Sequence, residues 1–421
     1  MAVIPSVPDD VVEIEVGAIA AGGGCVGRGP DGRVVFVRHS LPGERVRARI
    51  TSATSSFLRA DAVEVLEASP HRVAPVCAHA GPGRCGGCDF QHVAPAAQRR
   101  LKEDLVAEQL ARVGGVDLRV EVEDVGGAPG GLGWRTRVAF AVDADGTVGL
   151  RRHRSHDLEP VVTCPIATDG VNGAAVPSVR WTGARQLEVL ASPDGGTPVV
   201  LVDTGKQRLD SLPDLGVGLV WKGRTLRAPD AVVFEVAGNR FTVHAGVFWQ
   251  VHPRAGEVLT RAVLDGLGPR PGERVADLYA GAGLFTVALA RAVGPAGVVT
   301  AVERSGPAVG DLTRNTAGMA QVEVVRGDVR PGLVARRLGR PELVVLDPAR
   351  AGAGRDVVAA LCGLAPAPRR IAYVSCEPAP FARDLRQFLA AGWRLGSLRA
   401  FDLFPMTEHV ELVGILERPG T

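Results

Sequence analysis

The chain has 421 residues, 46% of them apolar, with 48 basic and 46 acidic side chains for a formal net charge of +2. That length fits two or three domains rather than one, the apolar share is enough for real cores, and the bulk charge announces no polyanionic partner. Apolar runs such as Val298–Val302 and Leu343–Leu346 fall far short of the roughly 20 residues of a membrane span, and residues 1–10 lack the layout of an export signal, so a cytoplasmic protein with no membrane partner is expected.

From Val11 to about Ala68 short alternating segments are separated by turns such as Gly22-Gly23-Gly24 and Leu41-Pro42-Gly43-Glu44, a pattern that predicts a small closed β-barrel,. Between Arg28 and Arg59 this piece is locally basic,. Pro70–Gly87 is rich in Pro, Gly and Cys, and Pro95–Val113 reads as a helix with Leu101, Leu105, Leu110 and Val113 near one face,. Trp134 to about Val236 gives mixed strands and loops without a clear period. Beyond Phe241 strands alternate with helices: Arg274–Asp277, Val298–Val302, Glu323–Val325, Leu343–Leu346 and Ile371–Val374. This predicts a doubly wound α/β sheet with sites at the carboxyl ends of its strands. The expected division is 1–68, 69–240 and 241–421.

Asp277-Leu278-Tyr279-Ala280-Gly281-Ala282-Gly283 follows the first of these strands and opens a helix, so a ligand can approach its backbone,. Thr286 stands where a dinucleotide fingerprint needs its third glycine, and Glu303 ends the next strand, where a carboxylate can take both ribose hydroxyls. Together these favour S-adenosylmethionine over NAD; a bare tight turn and a surface acid are the plain alternative. Asp347-Pro348-Ala349-Arg350 and Ser375-Cys376-Glu377-Pro378 each follow an apolar strand directly. Cys376 is placed like a nucleophile, although free cysteines are often inert core residues, the reading given to Cys25 and Cys362. Glu411, at the start of the strand Leu412–Leu416, is placed for a base; position alone favours a solvated edge-strand acid. Cys77, Cys85 and Cys88, with Cys164 downstream, offer four thiolates for zinc or an iron–sulfur cluster,.

These residues resemble the RNA uracil-5-methyltransferases nearly end to end. Residues 11–66, with Gly32–Val37 and Leu41–Val46, are similar to the family's RNA-binding TRAM domain, an OB-like barrel. Cys85-Gly86-Gly87-Cys88-Asp89-Phe90-Gln91-His92 resembles the segment around its cluster, Trp134-Arg135-Thr136-Arg137 a central-domain motif, and Phe248-Trp249-Gln250-Val251 the opening of the methyltransferase domain. The resemblance implies a class I, Rossmann-like methyltransferase domain preceded by the barrel and an α+β central domain. It implies contacts to S-adenosylmethionine from Gln250, Tyr279, Glu303, Asp328 and Asp347, a 4Fe-4S cluster on Cys77, Cys85, Cys88 and Cys164, Cys376 as nucleophile, and Glu411 rather than Glu408 as general base. Ala349 departs from the usual D-P-P-R, Leu284 replaces a common polar residue, and the Cys77–Cys85 spacing is longer than typical.

The implied reaction is addition of Cys376 to C6 of a flipped uridine, methylation at C5, and proton removal by Glu411, with Arg350 either on the RNA backbone or in a structural ion pair. The implied partner is ribosomal RNA more than tRNA, because of the barrel and the four cysteines, and a monomer is expected. Competing readings are an exocyclic amino methyltransferase using Asp347-Pro348, an inactive RNA-binding protein, and an NAD oxidoreductase.

Overall fold

In the N-terminal unit buried and exposed residues alternate along the strands, most cleanly over Arg45–Ala53, and closing them into a barrel encloses the apolar face. The computed structural model describes residues 10–209 and 212–418; most of the stretch read for an export signal, residues 1–9, lies outside the described residues. Strands β1 (Val11–Ala20), β2 (Gly24–Arg28), β3 (Val34–Arg38), β4 (Arg45–Ala53) and β5 (Phe57–Glu67) close in the order β1-β2-β3-β5-β4. On β4, Val46, Ala48 and Ile50 point into the barrel and Arg45, Arg47 and Arg49 point out,. The local basic charge is partly cancelled by acids from outside the Arg28–Arg59 stretch: Arg45 pairs with Glu13 and Glu67, and Arg47 with Glu64.

Helix α1 (Pro95–Gln109) buries Ala97, Gln98, Leu101, Lys102, Leu105 and Val106, one face at helical spacing,. Ala97, Leu101 and Leu105 share a small core with Ile19 and Leu41 of the barrel and Phe90 and Val93 of the preceding loop. The chain then supplies a two-residue strand, β6 (Val122–Glu123), to a distant sheet.

The central region is a seven-stranded sheet of short pieces. These are β7 (Arg137–Val142), β8 (Val148–Arg151), β9 (Leu158–Pro160), β10 (Gln186–Leu190), β11 (Val199–Asp203), β12 (Gly218–Trp221) and β13 (Arg224–Arg227), with a short helix α2 (Asp169–Gly173) inserted. Their order is β13-β12-β11-β10-β7-β8-β9, antiparallel except between β11 and β12. Pieces this short leave little periodicity to read. A hairpin, β14 (Ala231–Val236) and β15 (Asn239–His244), leads into the last unit.

There, α3 (Ala255–Leu267), β16 (Arg274–Leu278), α4 (Leu284–Val293), β17 (Val298–Glu303), α5 (Gly306–Asn315), β18 (Val322–Arg326), α6 (Pro331–Arg337), β19 (Leu343–Leu346), α7 (Arg355–Cys362), β20 (Arg370–Ser375) and α8 (Pro378–Ala390) alternate. Strands β21 (Arg394–Phe401) and β22 (Glu411–Glu417) follow. The sheet order is β18-β17-β16-β19-β20-β22-β21-β6, parallel through β20 and antiparallel at β22. All four residues of β19 are buried, as expected for a strand covered on both faces,. One apolar core lies under each face.

Candidate active site at the carboxyl rim of the sheet

Because β22 runs antiparallel to β20, its first residue lies at the rim where β16, β17, β19 and β20 end. The ladder pairs Ser375 with Leu412, so one step further Cys376 lies opposite Glu411,. Glu411 is only 2% exposed. This corrects the solvated-edge reading: β22 sits between β20 and β21, and the acid is enclosed. Burial, followed by the charges of Asp347 and Glu377, holds the Glu411 carboxyl well above the usual range,. The half-buried Cys376 thiol is pushed up to about 12 by burial, then by Glu411, Glu377 and Asp347; Arg350 opposes them. Arg350 itself is mostly exposed, 3.9 Å from Glu377. Glu377 also meets His409 Nδ1 at 3.4 Å.

A second group of acids lines the neighbouring strand ends. Asp277 is buried and pushed up to about 7 by desolvation, with Asp347 and Glu303 adding to the rise. Its Oδ2 accepts a short hydrogen bond from Thr286, whereas Oδ1 has no partner among the described residues. Asp347, half-buried and likewise raised to about 7, accepts from Gln250 Nε2 at 3.3 Å. Glu303 accepts from the Gly281 and Ser305 N–H groups, at 3.1 and 2.6 Å, and so fixes the glycine loop. At Gly283, where φ is +96°, a Cβ would stand 2.8 Å from Leu312, while the space beside Gly281 is open,. The Tyr279 phenol is raised to about 12 by burial and then by the charge of Asp328, which pairs with Arg330 at 2.7 Å. An orphaned buried carboxylate oxygen, raised acids and an open glycine loop fit a ligand that carries positive charge.

Gln250 is held from both sides by one short segment. Thr136 donates its N–H and its hydroxyl to the Val251 carbonyl, both at 2.9 Å, and Arg137 donates to the Val247 carbonyl at 2.6 Å. Trp249 packs between Phe234 and Phe241, Phe248 is 62% exposed, and Gln250 turns inward.

The structure brings Cys77, Cys85, Cys88 and Cys164 to the wall of a separate cavity of about 290 Å³. Arg135, Arg152 and His153 share that wall. Burial pushes Cys88 up to about 12 and raises Cys85 and Cys164, and the thiols raise one another. Gly87 N–H donates to Cys85 Sγ at 3.4 Å and Gln91 Nε2 to Cys88 Sγ at 3.6 Å. Among the described residues no three His, Cys, Asp or Glu side chains are arranged to hold a single metal ion. Four thiols on the wall of one cavity are the donor type that either a zinc ion or an iron–sulfur cluster takes,. Cys25 is fully buried in the barrel, and Cys362 half-buried beside Trp393.

Sequence reasoning assigned no role to Gln98, Lys102, Glu377 or His409. The first two had a signal: polar residues on the core-facing stripe of α1, one of them among the chain's three lysines.

Family models match at both ends: a TRAM domain over residues 8–63 and tRNA (Uracil-5-)-methyltransferase over residues 339–419. A Streptomyces avermitilis protein described as an "Uncharacterized RNA methyltransferase" is 45% identical across 96% of this chain and 98% of its own length. The 23S rRNA (uracil(1939)-C(5))-methyltransferase RlmD of Halomonas elongata is 33% identical across 97% and 90%. The Pyrococcus abyssi tRNA (uracil-54, C5)-methyltransferase, solved with S-adenosyl-L-homocysteine, superposes with a TM-score of 0.73 over 96% of this chain and 99% of that one; at 22% identity this shows the class I methyltransferase fold. No described helix is long and apolar enough to cross a membrane. With its barrel, its rim of buried acids and these relatives, the chain belongs to the RNA (uracil-5-)-methyltransferase family and is an RNA methyltransferase.

Proposed function

We propose that this enzyme methylates C5 of a uridine in ribosomal RNA through a covalent bond between Cys376 Sγ and uracil C6. The observation that carries the reading is the placement of Cys376 opposite Glu411 at a rim of buried acids. Uracil C5 is a weak nucleophile, whereas C6 is an electrophilic conjugate position. The Cys376 thiol gives its proton to solvent as Sγ bonds to C6, the displaced electron pair makes C5 an enolate carbon, and the thiolate expelled at the end of the cycle takes a proton back. S-adenosylmethionine, held by Asp347, Gln250, Tyr279, Glu303 and Asp328, supplies an electrophilic methyl group when bound. After C5 takes the methyl, Glu411 removes the C5 proton; those electrons form the C5–C6 double bond and expel the Cys376 thiolate. One proton is released per methyl transferred. The uridine reaches the thiol by leaving its stack.

Residues 1–68 and 69–240 hold the RNA in this reading and residues 241–421 carry the chemistry. Cys77, Cys85, Cys88 and Cys164 hold a 4Fe-4S cluster, for which the four-thiol cavity is the support. The four cysteines and the RlmD relative favour ribosomal RNA over tRNA. The test is nucleoside mass spectrometry of unmodified ribosomal RNA and tRNA, each incubated with the enzyme and S-adenosylmethionine, with Cys376→Ala as control. The expected result is 5-methyluridine in ribosomal RNA, lost in the variant. Product in tRNA alone overturns the substrate assignment, and normal turnover by Cys376→Ala overturns the mechanism.

A further inference from the structure

Helix α1 buries two polar side chains one turn apart, Gln98 at 1% exposure and Lys102 at 0%. Both reach the loop between β21 and β22. Lys102 Nζ donates to Asp402 Oδ1 at 2.6 Å and to the Phe404 carbonyl at 3.0 Å. Gln98 Oε1 accepts the Met406 N–H at 2.8 Å, while its Nε2 donates to the carbonyls of Phe90 and Val93. The Phe90 N–H closes the circuit on the Met406 carbonyl at 2.9 Å. Met406 has φ of +67°, a conformation a bulky residue rarely adopts, and its hydrogen bonds with Gln98 and Phe90 hold it there,.

A buried ion pair gives little stability over apolar side chains of similar size. What this one adds is position. Asp402 directly follows Phe401, and the ladder pairs Phe401 with Glu411. Lys102 therefore grips the Asp402 side chain, next to the partner of Glu411, and the Phe404 carbonyl beyond it, and Gln98 fixes the turn that leads back to Glu411. We propose that Gln98 and Lys102 are positioning residues for proton removal: they hold the Asp402–Val410 loop so that the Glu411 carboxylate is aimed at C5 of the bound base. This rests on the covalent reading above. It also ties the segment after Cys88 to the transfer site, since Phe90 stands two residues beyond that cysteine.

The test replaces the pair by apolar side chains, Lys102→Met with Asp402→Leu, and compares it with Glu411→Gln on uridine-containing RNA. Thermal unfolding and S-adenosylhomocysteine affinity should stay near the parent's. Turnover should fall by roughly tenfold to a hundredfold, the scale of a small misplacement of a reacting group. The covalent protein–RNA complex, read on a denaturing gel, should accumulate as it does in Glu411→Gln, because thiol addition and methyl transfer still occur. Turnover within about twofold of the parent, or a loss of turnover with no adduct, overturns the positioning role while leaving the covalent reading intact. Absence of adduct in Glu411→Gln itself overturns both. Gln98→Met, which leaves the ion pair in place, is read the same way and keeps the test decisive if the double variant does not fold.

Discussion

Cys376 and Cys88 are both pushed up to about 12 by burial, yet their surroundings differ in kind. Around Cys376 stand three carboxyl groups and one arginine; around Cys88 stand two further thiols, a Gln91 N–H aimed at the sulfur, and Arg135. The first setting opposes a thiolate until a cationic ligand offsets the acids. The second supplies donors and a cation to thiolates that share a cavity. Burial alone does not distinguish a nucleophile from a ligand; the charges and N–H groups facing the sulfur do.

The largest expected effect separates the two. Cys376→Ala should lower turnover by roughly 10³-fold or more and leave S-adenosylhomocysteine binding near normal by calorimetry. Cys88→Ser should instead lower the iron content and visible absorbance of the purified protein. Iron content unchanged in Cys88→Ser, or lost in Cys376→Ala, would reverse the assignment of the two thiols.

The parallel strands β17, β19 and β20 were legible because each is a largely apolar run ended at the rim by Glu303, Asp347 or Ser375. The barrel was legible from its alternation. Strand order was not: nothing local to Glu411 tells that β22 lies inside the sheet, or that Val122–Glu123 joins its far edge. The role of the Trp134–Arg137 motif was equally hidden, since it acts on carbonyls more than 100 residues away.

The acids of the transfer rim give the next prediction, which the cysteine cavity should not share. Asp277 and Asp347 are raised to about 7, so both carry protons below that pH in the free enzyme. A cationic methyl donor prefers the carboxylates. Its affinity should therefore rise with pH up to about 7 and level off above, falling up to about tenfold per unit on the acid side for one coupled proton. Calorimetry in buffers of different ionisation enthalpy should show proton release on binding at pH 6 and little at pH 8. An affinity independent of pH between 5 and 8 would mean that these acids do not face the charge.

The smallest effect concerns the stability of the ligand-free enzyme. Asp277 binds its proton more tightly folded than unfolded, so between its unfolded value near 3.8 and its folded value near 7 the native state holds the extra proton. Stability from this group is therefore greatest below pH 4 and declines as pH rises toward 7, the reverse of an ion-paired aspartate. Asp277→Asn keeps an acceptor for Thr286 and removes that penalty. It should raise the unfolding midpoint of the free enzyme at pH 8 by an amount equivalent to on the order of 2 kcal/mol, with a much smaller change at pH 5. It should also shrink the stabilisation that the cationic donor brings, because one of the negative charges at the rim is gone. If Asn at this position left the pH 8 midpoint unchanged while donor affinity fell, the buried carboxylate would be compensated by a partner in the free enzyme, and the contrast with the cysteine cavity would rest on the thiols alone.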